Sequence, residues 1–263
     1  TEMGNTHNFK NAKITIKDDK VVNIGIKVND LWYFHINFHE NGNIKSIKTT
    51  INNNGDGMEM IFSEYGIMKG CYTIKDRKTE GFCTTYHDEG TVKISGFKKN
   101  GQWNGFCTKY REDGSKEYEA NYVDNVTNGT CKTFHPDGNV YENGTNKDGK
   151  WNGFCTTYRE DGSKSIEGNY VDNIPNGPYK TFHPDGNVYE NGTKKNGKWN
   201  GFCTDYRADG TKLREANYVD DKSTGISKLY HADGINVEYE TFLVDGVPHG
   251  ERKRFGKLGN VID

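Results

Sequence analysis

The sequence lacks several features that would place it in a common class at once. No apolar run approaches the roughly 20 residues that a membrane-spanning helix needs, and hydrophobic residues make up only 32% of the 263-residue chain. So small a share leaves little to fill a broad core, and it favours a thin body. The formal net charge is −2. This balance gives no basic face, so we expect no nucleic-acid partner.

Motifs for catalysis and metal binding are also missing. The sequence contains no GxSxG, HExxH, Walker or dinucleotide-binding motif, and no Cys-x-x-Cys spacing that would suggest a metal site. An active site is normally one asymmetric constellation, whereas each polar residue of interest here recurs. We therefore predict that the protein is not an enzyme and holds no cofactor or metal.

What the sequence does contain is a repeating unit, marked by a glycine and by an aromatic residue four positions earlier. The glycines are Gly42, Gly66, Gly90, Gly114, Gly138, Gly162, Gly186, Gly210, Gly234 and, after a one-residue slip, Gly259. The aromatics are Phe38, Phe62, Tyr86, Tyr110, Phe134, Tyr158, Phe182, Tyr206, Tyr230 and Phe255. The sequences 105–152 and 153–200 agree at 38 of 48 positions. A fixed period of about 24 residues predicts a stacked array, and here pairs of copies alternate.

Each unit has the pattern of two strands and two turns. Residues 105–110 and 116–123 alternate in polarity, and Asp113-Gly114 between them favours a type I′ hairpin turn. Residues 124–128 are predicted to form an Asn-rich loop. We predict an all-β fold: an elongated, single, twisted antiparallel β-meander of about ten hairpin repeats, solenoid-like in its stacking.

Three segments follow from the strength of the repeat. Residues 1–32 are predicted to form an N-terminal cap, which can be interpreted as a degenerate first repeat, and residues 33–249 form the array. Residues 250–263 form a partial last repeat or cap. Atypical ends are expected because a terminal copy faces water rather than another copy.

The aromatic residues are predicted to form the core. Phe106 and Tyr110 are placed on one face of the first strand, and Tyr118 and Tyr122 on one face of the second. Small residues between them leave space for neighbouring rings, an arrangement that pins strand register. The alternative interpretation of this ladder is a ligand platform.

The pattern G-x-C-x-x-Y-x-x-D-G, followed by a small residue six positions on and an aromatic two beyond it, resembles the MORN repeat over about residues 33–263. The nearest variant is that of YwqK-like proteins. Cys stands where the family often has Trp, and half the copies lack the second aromatic. The residues that carry the pattern are Tyr86, Gly90, Tyr110, Gly114, Phe134, Gly138, Tyr158, Gly162, Phe182, Gly186, Tyr206 and Gly210. The resemblance implies a non-enzymatic β-meander that binds proteins or lipids, and for YwqK-like members an antitoxin or immunity role.

Five of the six cysteines occupy one repeat position: Cys83, Cys107, Cys131, Cys155 and Cys203. Equivalent strands are two strand spacings apart, about 9.6 Å, which is too far for a disulfide. We therefore expect free thiols, with Cys71 and Cys83 as the one sterically plausible pair. Free thiols favour an intracellular location. The chain begins at Thr1 rather than Met, so a signal removed upstream stays an open alternative.

Two recurrent sets are candidates for binding a partner. Arg111, Arg159 and Arg207 alternate with histidines one position after the aromatic, and an acid follows two residues later. We expect that acid to act mainly in the turn, and we expect the His and Asp ladders to be spaced too widely for adjacent copies to cooperate. Trp103, Trp151 and Trp199 recur in every second copy in a predicted loop, either capping the core or forming a stripe that faces a partner.

The repetition favours a scaffold for protein–protein interaction, including an antitoxin or immunity role. One alternative is a cell-wall or glycan-binding module that uses exposed rings. Another is a scaffold that associates with lipid headgroups at a membrane surface, in which the three arginines would contact phosphates. Open sheet edges also predict association of copies by edges or ends.

Overall fold

The structure is a computed structural model, and it describes residues 5–18, 20–28, 33–51 and 55–262. Every regular element in these ranges is a β-strand. Contacts divide the chain into two compact units, Thr1–Thr127 and Asn128–Asp263. Each unit is an antiparallel meander in which the strands pair in chain order. The predicted all-β meander of hairpin repeats is confirmed.

The first unit contains eleven named strands and the beginning of the twelfth. They are β1 (Asn5–Phe9), β2 (Ala12–Lys17), β3 (Lys20–Lys27), β4 (Tyr33–Phe38), β5 (Ile44–Thr50), β6 (Gly57–Phe62), β7 (Met68–Lys75), β8 (Lys78–Tyr86), β9 (Val92–Lys99), β10 (Gln102–Tyr110) and β11 (Lys116–Val123). The segment predicted to be an N-terminal cap therefore supplies strands to this meander, with β1 on β2, β2 on β3 and β3 on β4.

The second unit continues the same alternation. Its strands are β12 (Val126–Phe134), β13 (Val140–Lys147), β14 (Lys150–Tyr158), β15 (Lys164–Val171), β16 (Ile174–Phe182), β17 (Val188–Lys195), β18 (Lys198–Trp199), β19 (Gly201–Tyr206), β20 (Lys212–Val219), β21 (Lys222–Tyr230), β22 (Val237–Val244), β23 (Val247–Pro248) and β24 (Lys253–Arg254). The short strands β18 and β19 both pair with β17, and β23 and β24 both pair with β22.

The segment predicted to be a partial last repeat keeps the turn of a full copy. Phe255 bridges Val261, and the Gly259 amide donates to the Gly256 carbonyl at 2.9 Å. The equivalent turns of the full copies have the same hydrogen bond. The repeat therefore continues almost to the end of the described chain.

The turn at the periodic glycine is not the predicted type I′. The Gly114 amide donates to the Arg111 carbonyl at 3.0 Å, and φ is positive at Gly114 (85°) but not at Asp113. A type I turn followed by one left-handed residue, the G1 bulge, has this geometry. The ten periodic glycines all have φ between 67° and 92°. Glycine is needed there because side chains are strained in this region.

Type I′ turns occur at the other link, where an Asn-rich loop is predicted. Asp124 and Asn125 both have positive φ (49° and 68°), and β12 already begins at Val126. The same geometry recurs at 148–149, 172–173, 196–197, 220–221 and 245–246. Each repeat therefore alternates a G1-bulge hairpin at one edge with a type I′ hairpin at the other.

A third recurrent feature, from the pairing of β7 with β8 onward, is a bulge beside the first glycine of a copy. Between β10 and β9 the register shifts between Trp103 and Cys107, and Gly105 within this interval has φ 107°. The same interruption lies between β14 and β13, where Gly153 also has φ 107°. A bulge bends and twists its strand, so each copy that has one is bent at this point, whereas β5 and β6 pair without a register shift.

The most buried side chains form a row that crosses the strands of each unit. Cys107 pairs with Gly96 on one side and Ala120 on the other. The neighbour of each thiol has to be small. At Gly96, for example, an added Cβ would lie only 2.5 Å from the Cys107 sulfur. We call these buried residues the cysteine row: Cys83, Cys107 and Ala120 in the first unit, and Cys131, Cys155, Tyr179, Cys203 and Ala216 in the second.

The aromatic core prediction is wrong in one part. Phe106 is 48% exposed, because it alternates with Cys107 and so points to the opposite face. Tyr110, Tyr118 and Tyr122 are half-buried, and the Tyr122 hydroxyl donates to that of Tyr118 at 2.9 Å. The aromatic rings flank the cysteine row instead of forming the centre of the core.

Candidate functional site

The G1-bulge edge of each meander holds neighbouring repeats together. The His135 Nε2 bonds the Tyr158 carbonyl at 3.0 Å, and His183 bonds the Tyr206 carbonyl at 2.9 Å. Because a carbonyl only accepts, the imidazole is the donor. The histidine side chain of one copy therefore reaches the main chain of the next copy. The same contact to the following copy is made by His39, His87 and His231.

The arginines predicted to bind a partner take part in this same clamp. The Arg207 guanidinium donates to the Tyr230 carbonyl at 2.7 Å and to Thr211 Oγ1 at 3.3 Å. Arg159 donates to the Phe182 carbonyl in the same way. The contacts with the two carbonyls tie Arg207 and Arg159 to the following repeat.

Arg111 also bonds within the chain. It donates to the Ser115 hydroxyl at 3.3 Å and to the Lys116 carbonyl of its own hairpin. Like Arg159 and Arg207, it is half-buried. Much of the donor capacity of the three arginines is therefore used inside the protein.

The acids that follow act as turn residues. Asp113 Oδ1 accepts the Ser115 amide at 2.8 Å, and Asp161 Oδ1 does the same for Ser163. The hydroxyl and the amide of Ser115 hold the pKa of the Asp113 carboxyl below its ordinary value. These carboxylates stay charged at neutral pH and stabilise their hairpins.

One turn aspartate shows the effect most strongly. The amide of Ile235, followed by the side chain and the amide of Asn236, lowers the pKa of Asp233 to about 2. Oδ1 of Asp233 accepts the Ile235 amide at 2.9 Å and the Asn236 amide at 3.0 Å. Hydrogen bonds to the charged form of a carboxyl favour that form.

The tryptophans lie on strands and not in the predicted loop. Trp103 is in β10, Trp151 in β14 and Trp199 in β18, and all three are half-buried. A Cβ on Gly144 would come within 3.0 Å of the Trp151 ring, so the ring lies directly on that glycine. Trp199 covers Gly192 at 3.1 Å in the same way. This geometry gives the tryptophans a packing role beside the cysteine row.

The cysteines are free, as predicted, and their thiols are unreactive at neutral pH. All six are thiols. Cys71 and Cys83 are not opposite each other, because the register pairs Tyr72 with Cys83 and Cys71 with Thr84. Burial raises the pKa of Cys131 to about 11 and that of Cys155 to about 12. Such thiols carry little thiolate at neutral pH and are poor nucleophiles.

An exposed apolar face was not predicted from the sequence. Phe82, Phe97 and Phe106 lie on adjacent strands of the first unit, on the face opposite the cysteine row, and each is about half exposed. The rings of Phe82 and Phe97 are 5.4 Å apart in an edge-to-face arrangement. We call these three residues the Phe patch. Thr130 and Pro178 occupy the repeat position of Phe106, and such replacements are the sequence signal that this position is not core.

The second unit repeats this exposure with other side chains. Phe154 and Phe202 are each 55% exposed, and Ile226 pairs with Phe242 in a half-exposed apolar pair. Short polar residues stand among them as cross-strand partners: Asn169, Thr193 and Asn217. This face therefore alternates rings with short polar side chains.

Other chemistry is sparse in the described part of the chain. Within residues 5–18, 20–28, 33–51 and 55–262, no three His, Cys, Asp or Glu side chains converge as a metal site would require. No helix that could cross a membrane occurs in those ranges.

Comparison with known proteins supports the repeat assignment. Residues 127–145 and 175–196 match the family profile described as "MORN repeat variant". The matched segments cover most of strands β12–β13 and β16–β17, so these two copies are MORN-type repeats. No curated protein is similar enough to count as a match.

One solved structure with a detected similarity is named "Crystal Structure of TcdB2-TccC3-Cdc42". The aligned region is 12% identical, covers 95% of this chain and gives a TM-score of 0.24. The chain spans only 13% of the length of that structure's chain. A likeness this weak carries no argument about function.

Proposed function

We propose that this chain of MORN-type repeats is a non-enzymatic scaffold that binds a protein partner through the Phe patch. The observation that carries the proposal is the half exposure of Phe82, Phe97 and Phe106 side by side. Contiguous exposed apolar patches on monomeric proteins commonly mark interaction sites. Aromatic residues are enriched in such interfaces.

The ionisable side chains support a binding role over catalysis. The histidines and arginines of the G1-bulge edge hydrogen-bond to the next repeat, and the aspartates cap turn amides. Each therefore has a structural task that recurs from copy to copy. Catalysis normally requires one set of residues in differing roles.

The same contacts favour a protein over the two other ligand classes. Arg159 and Arg207 already donate to main-chain carbonyls, which weakens their use as phosphate ligands for a lipid surface. The tryptophans that could stack on sugars are half-buried, and lysine ammonium groups already lie over two of them. The finer role of antitoxin or immunity partner rests on the resemblance to YwqK-like proteins, and a toxin is accordingly the first protein partner to test.

The test replaces Phe82 and Phe106 with Thr, the residue that the fold already carries at position 130. We expect the double variant to lose the partner that wild type retains in a pull-down, with an unchanged unfolding midpoint. A Trp103, Trp151 and Trp199 to Phe triple variant should keep the partner.

Two other outcomes would contradict the proposal, one by placing the interface elsewhere and one by identifying a different class of ligand. Retention by the Phe82→Thr, Phe106→Thr variant with loss by the Trp variant would assign the interface to the tryptophan stripe. Binding to anionic vesicles or to a glycan array, unaffected by either variant, would replace the protein partner by that ligand.

A further inference from the structure

Of the three tryptophans that recur in every second copy, two hold an ammonium group supplied by the chain itself. Lys98 pairs with Trp103 across β9 and β10, and its Nζ lies 4.6 Å from the centre of the indole ring. Lys194 pairs with Trp199, and its Nζ lies 4.7 Å from that ring and 4.5 Å from the ring of Tyr179. Both tryptophans are within the range of cation–π attraction.

The copy that contains Trp151, between these two, has no lysine opposite its tryptophan. Trp151 pairs with Asn146, which stands where the other two copies have lysine and which carries no charge. The backbone register is the same in all three hairpins, and the Trp151 ring lies on Gly144 as the Trp199 ring lies on Gly192. The middle copy therefore has the aromatic half of the arrangement without the cation.

Glu142 lies on the same face and supplies a negative charge that would complement a bound cation. Glu142, Gly144 and Asn146 alternate along β13 toward one face, and burial raises the pKa of the Glu142 carboxyl. The pKa of the Tyr170 phenol is raised mainly by burial and by Tyr179, then by the charge of Cys155, and the charge of Glu142 adds the smallest contribution. Within the described part of the chain, Glu142 forms no ion pair. A half-buried carboxylate is stabilised by a cation brought next to it.

The neighbouring copy shows what a completed arrangement contains. There Glu190 accepts a hydrogen bond from the Thr181 hydroxyl at 3.1 Å, and Lys194 supplies the cation. In the middle copy Thr133 pairs with Glu142, yet the Thr133 hydroxyl is buried with no hydrogen-bond partner among the described residues. The middle copy is thus incomplete in both charge and hydrogen bonding.

We propose that Trp151, Tyr170 and Glu142 form a binding site for an organic ammonium group, in the place that lysine fills from within the chain in the other two copies. The ligand is an alkylammonium, either primary or methylated. It can come from a lysine side chain of a partner or from a free amine. This site lies in the second unit and shares no residue with the Phe patch, so it does not depend on the proposed function.

The test titrates the full chain with N-acetyl-lysine amide, N-acetyl-trimethyllysine amide or the uncharged N-acetyl-norleucine amide. Binding is measured by NMR from the shifts of the tryptophan indole N–H resonances. We expect saturable shifts at the Trp151 resonance with the two cations and none with norleucine. Asn146→Lys should fill the site from within and weaken cation binding about tenfold or more, within the range of desolvated cation–π contacts. Asn146→Gln is the matched neutral control and should bind within about twofold of wild type.

Glu142→Gln keeps the size of the side chain and should also weaken binding, even if Asn146→Lys were to disturb folding. Equal binding of norleucine would overturn the proposal. So would unchanged affinity in Glu142→Gln, or shifts at Trp103 or Trp199 instead of Trp151. Butylammonium separates the two sources: affinity equal to that of the lysine amide indicates that a free amine suffices, whereas a lysine-containing peptide that binds more tightly indicates a protein partner.

Discussion

At the residue scale, the cysteine row shows how a chain poor in large apolar residues builds a core. Among the described residues, Cys107 and Cys83 are the largest side chains that are fully buried, each 0% exposed. Both pair with Gly96, which leaves the sulfurs room that a larger neighbour would remove. A free thiol packs as a small hydrophobic group, so these residues stabilise the sheet without forming disulfides.

The buried thiols predict a loss of stability at alkaline pH. The ordinary thiol pKa is about 9, and burial raises the pKa of Cys107 and of Cys203 to about 12. Between these values the unfolded chain releases thiol protons that the folded chain keeps, so the stabilisation is complete below about pH 9 and is lost toward about pH 12. Urea unfolding at pH 8 and pH 11 should show this fall. A Cys107→Ala, Cys203→Ala variant should show a smaller fall, and an identical fall would assign the effect to other groups.

The close packing around Gly144 predicts that a larger residue at this position destabilises the fold. A Cβ there would lie 2.9 Å from the Phe154 carbonyl oxygen and 3.0 Å from the Trp151 ring, so Gly144→Ala should destabilise the fold by about 1–3 kcal/mol. Ala216 occupies the same repeat position without a tryptophan on it. Ala216→Gly is the matched control and should cost at most about 1 kcal/mol. Urea midpoints measure both, and a neutral Gly144→Ala would mean that the ring does not lie on this glycine.

At the element scale, each tryptophan strand is fastened to the type I′ turn of the following hairpin. The amide of Trp151 donates to Asn173 Oδ1 at 2.6 Å, and the Asn173 amide donates to the Trp151 carbonyl at 3.0 Å. The second turn residue therefore has two tasks: a left-handed backbone and a side-chain acceptor. The other tryptophans make the same pair of contacts, Trp103 with Asn125 and Trp199 with Asp221.

Substitution at position 173 separates these tasks. Asn173→Gly keeps the left-handed backbone and loses the acceptor, so we expect a loss of about 1 kcal/mol. Asn173→Ala also forces a side chain without local hydrogen bonds to φ 71°, which adds about 1–2 kcal/mol. Asp172→Gly, in the first turn position, is the control and should be close to neutral. Urea unfolding measures all three, and equal stability of the Gly and Ala variants at 173 would contradict the strain argument.

At the scale of the whole molecule, charges are balanced and local. The formal net charge is −2. Recurring ion pairs join residues three apart, and their lysines are nearly half exposed. Pairs of this kind contribute little because solvent screens them. They are Lys116–Glu119, Lys164–Glu167 and Lys212–Glu215.

Stability should therefore depend little on salt. Raising NaCl from about 0.05 M to 0.5 M shortens the screening length several-fold, yet we expect the free energy of unfolding to change by less than about 1 kcal/mol. Urea unfolding at both concentrations measures this. A large decrease in the free energy of unfolding at the higher NaCl concentration would show that the ion pairs stabilise the fold more than the cysteine row and the edge clamps do.

The hairpin periodicity was predictable because each copy repeats the same local signals. The turn types were not: Asp113-Gly114 suits a type I′ turn and also a G1-bulge turn, and the choice depends on strand pairing on both sides. The face of Phe106 was misassigned for a related reason. Alternation along the strand is predicted correctly from sequence, but the choice of which face is covered depends on the bulge and the neighbouring strands.

The candidate site shows the same division. The three tryptophans and the three arginines stand out in sequence because each set recurs in every second copy. The partners of the tryptophans, Lys98, Asn146 and Lys194, become visible only when the register is known. The Phe patch carries a sequence signal in Thr130 and Pro178, which share its repeat position.

The sequence by itself determined the repeat, the all-β meander, the free thiols and the turn aspartates, because each depends on local chemistry repeated at a fixed spacing. The tertiary structure alone decided which rings are exposed, that His and Arg clamp successive copies, and that one tryptophan lacks its lysine. Those outcomes depend on which side chains meet across neighbouring strands. Register and bulges set that, and no single copy contains the information.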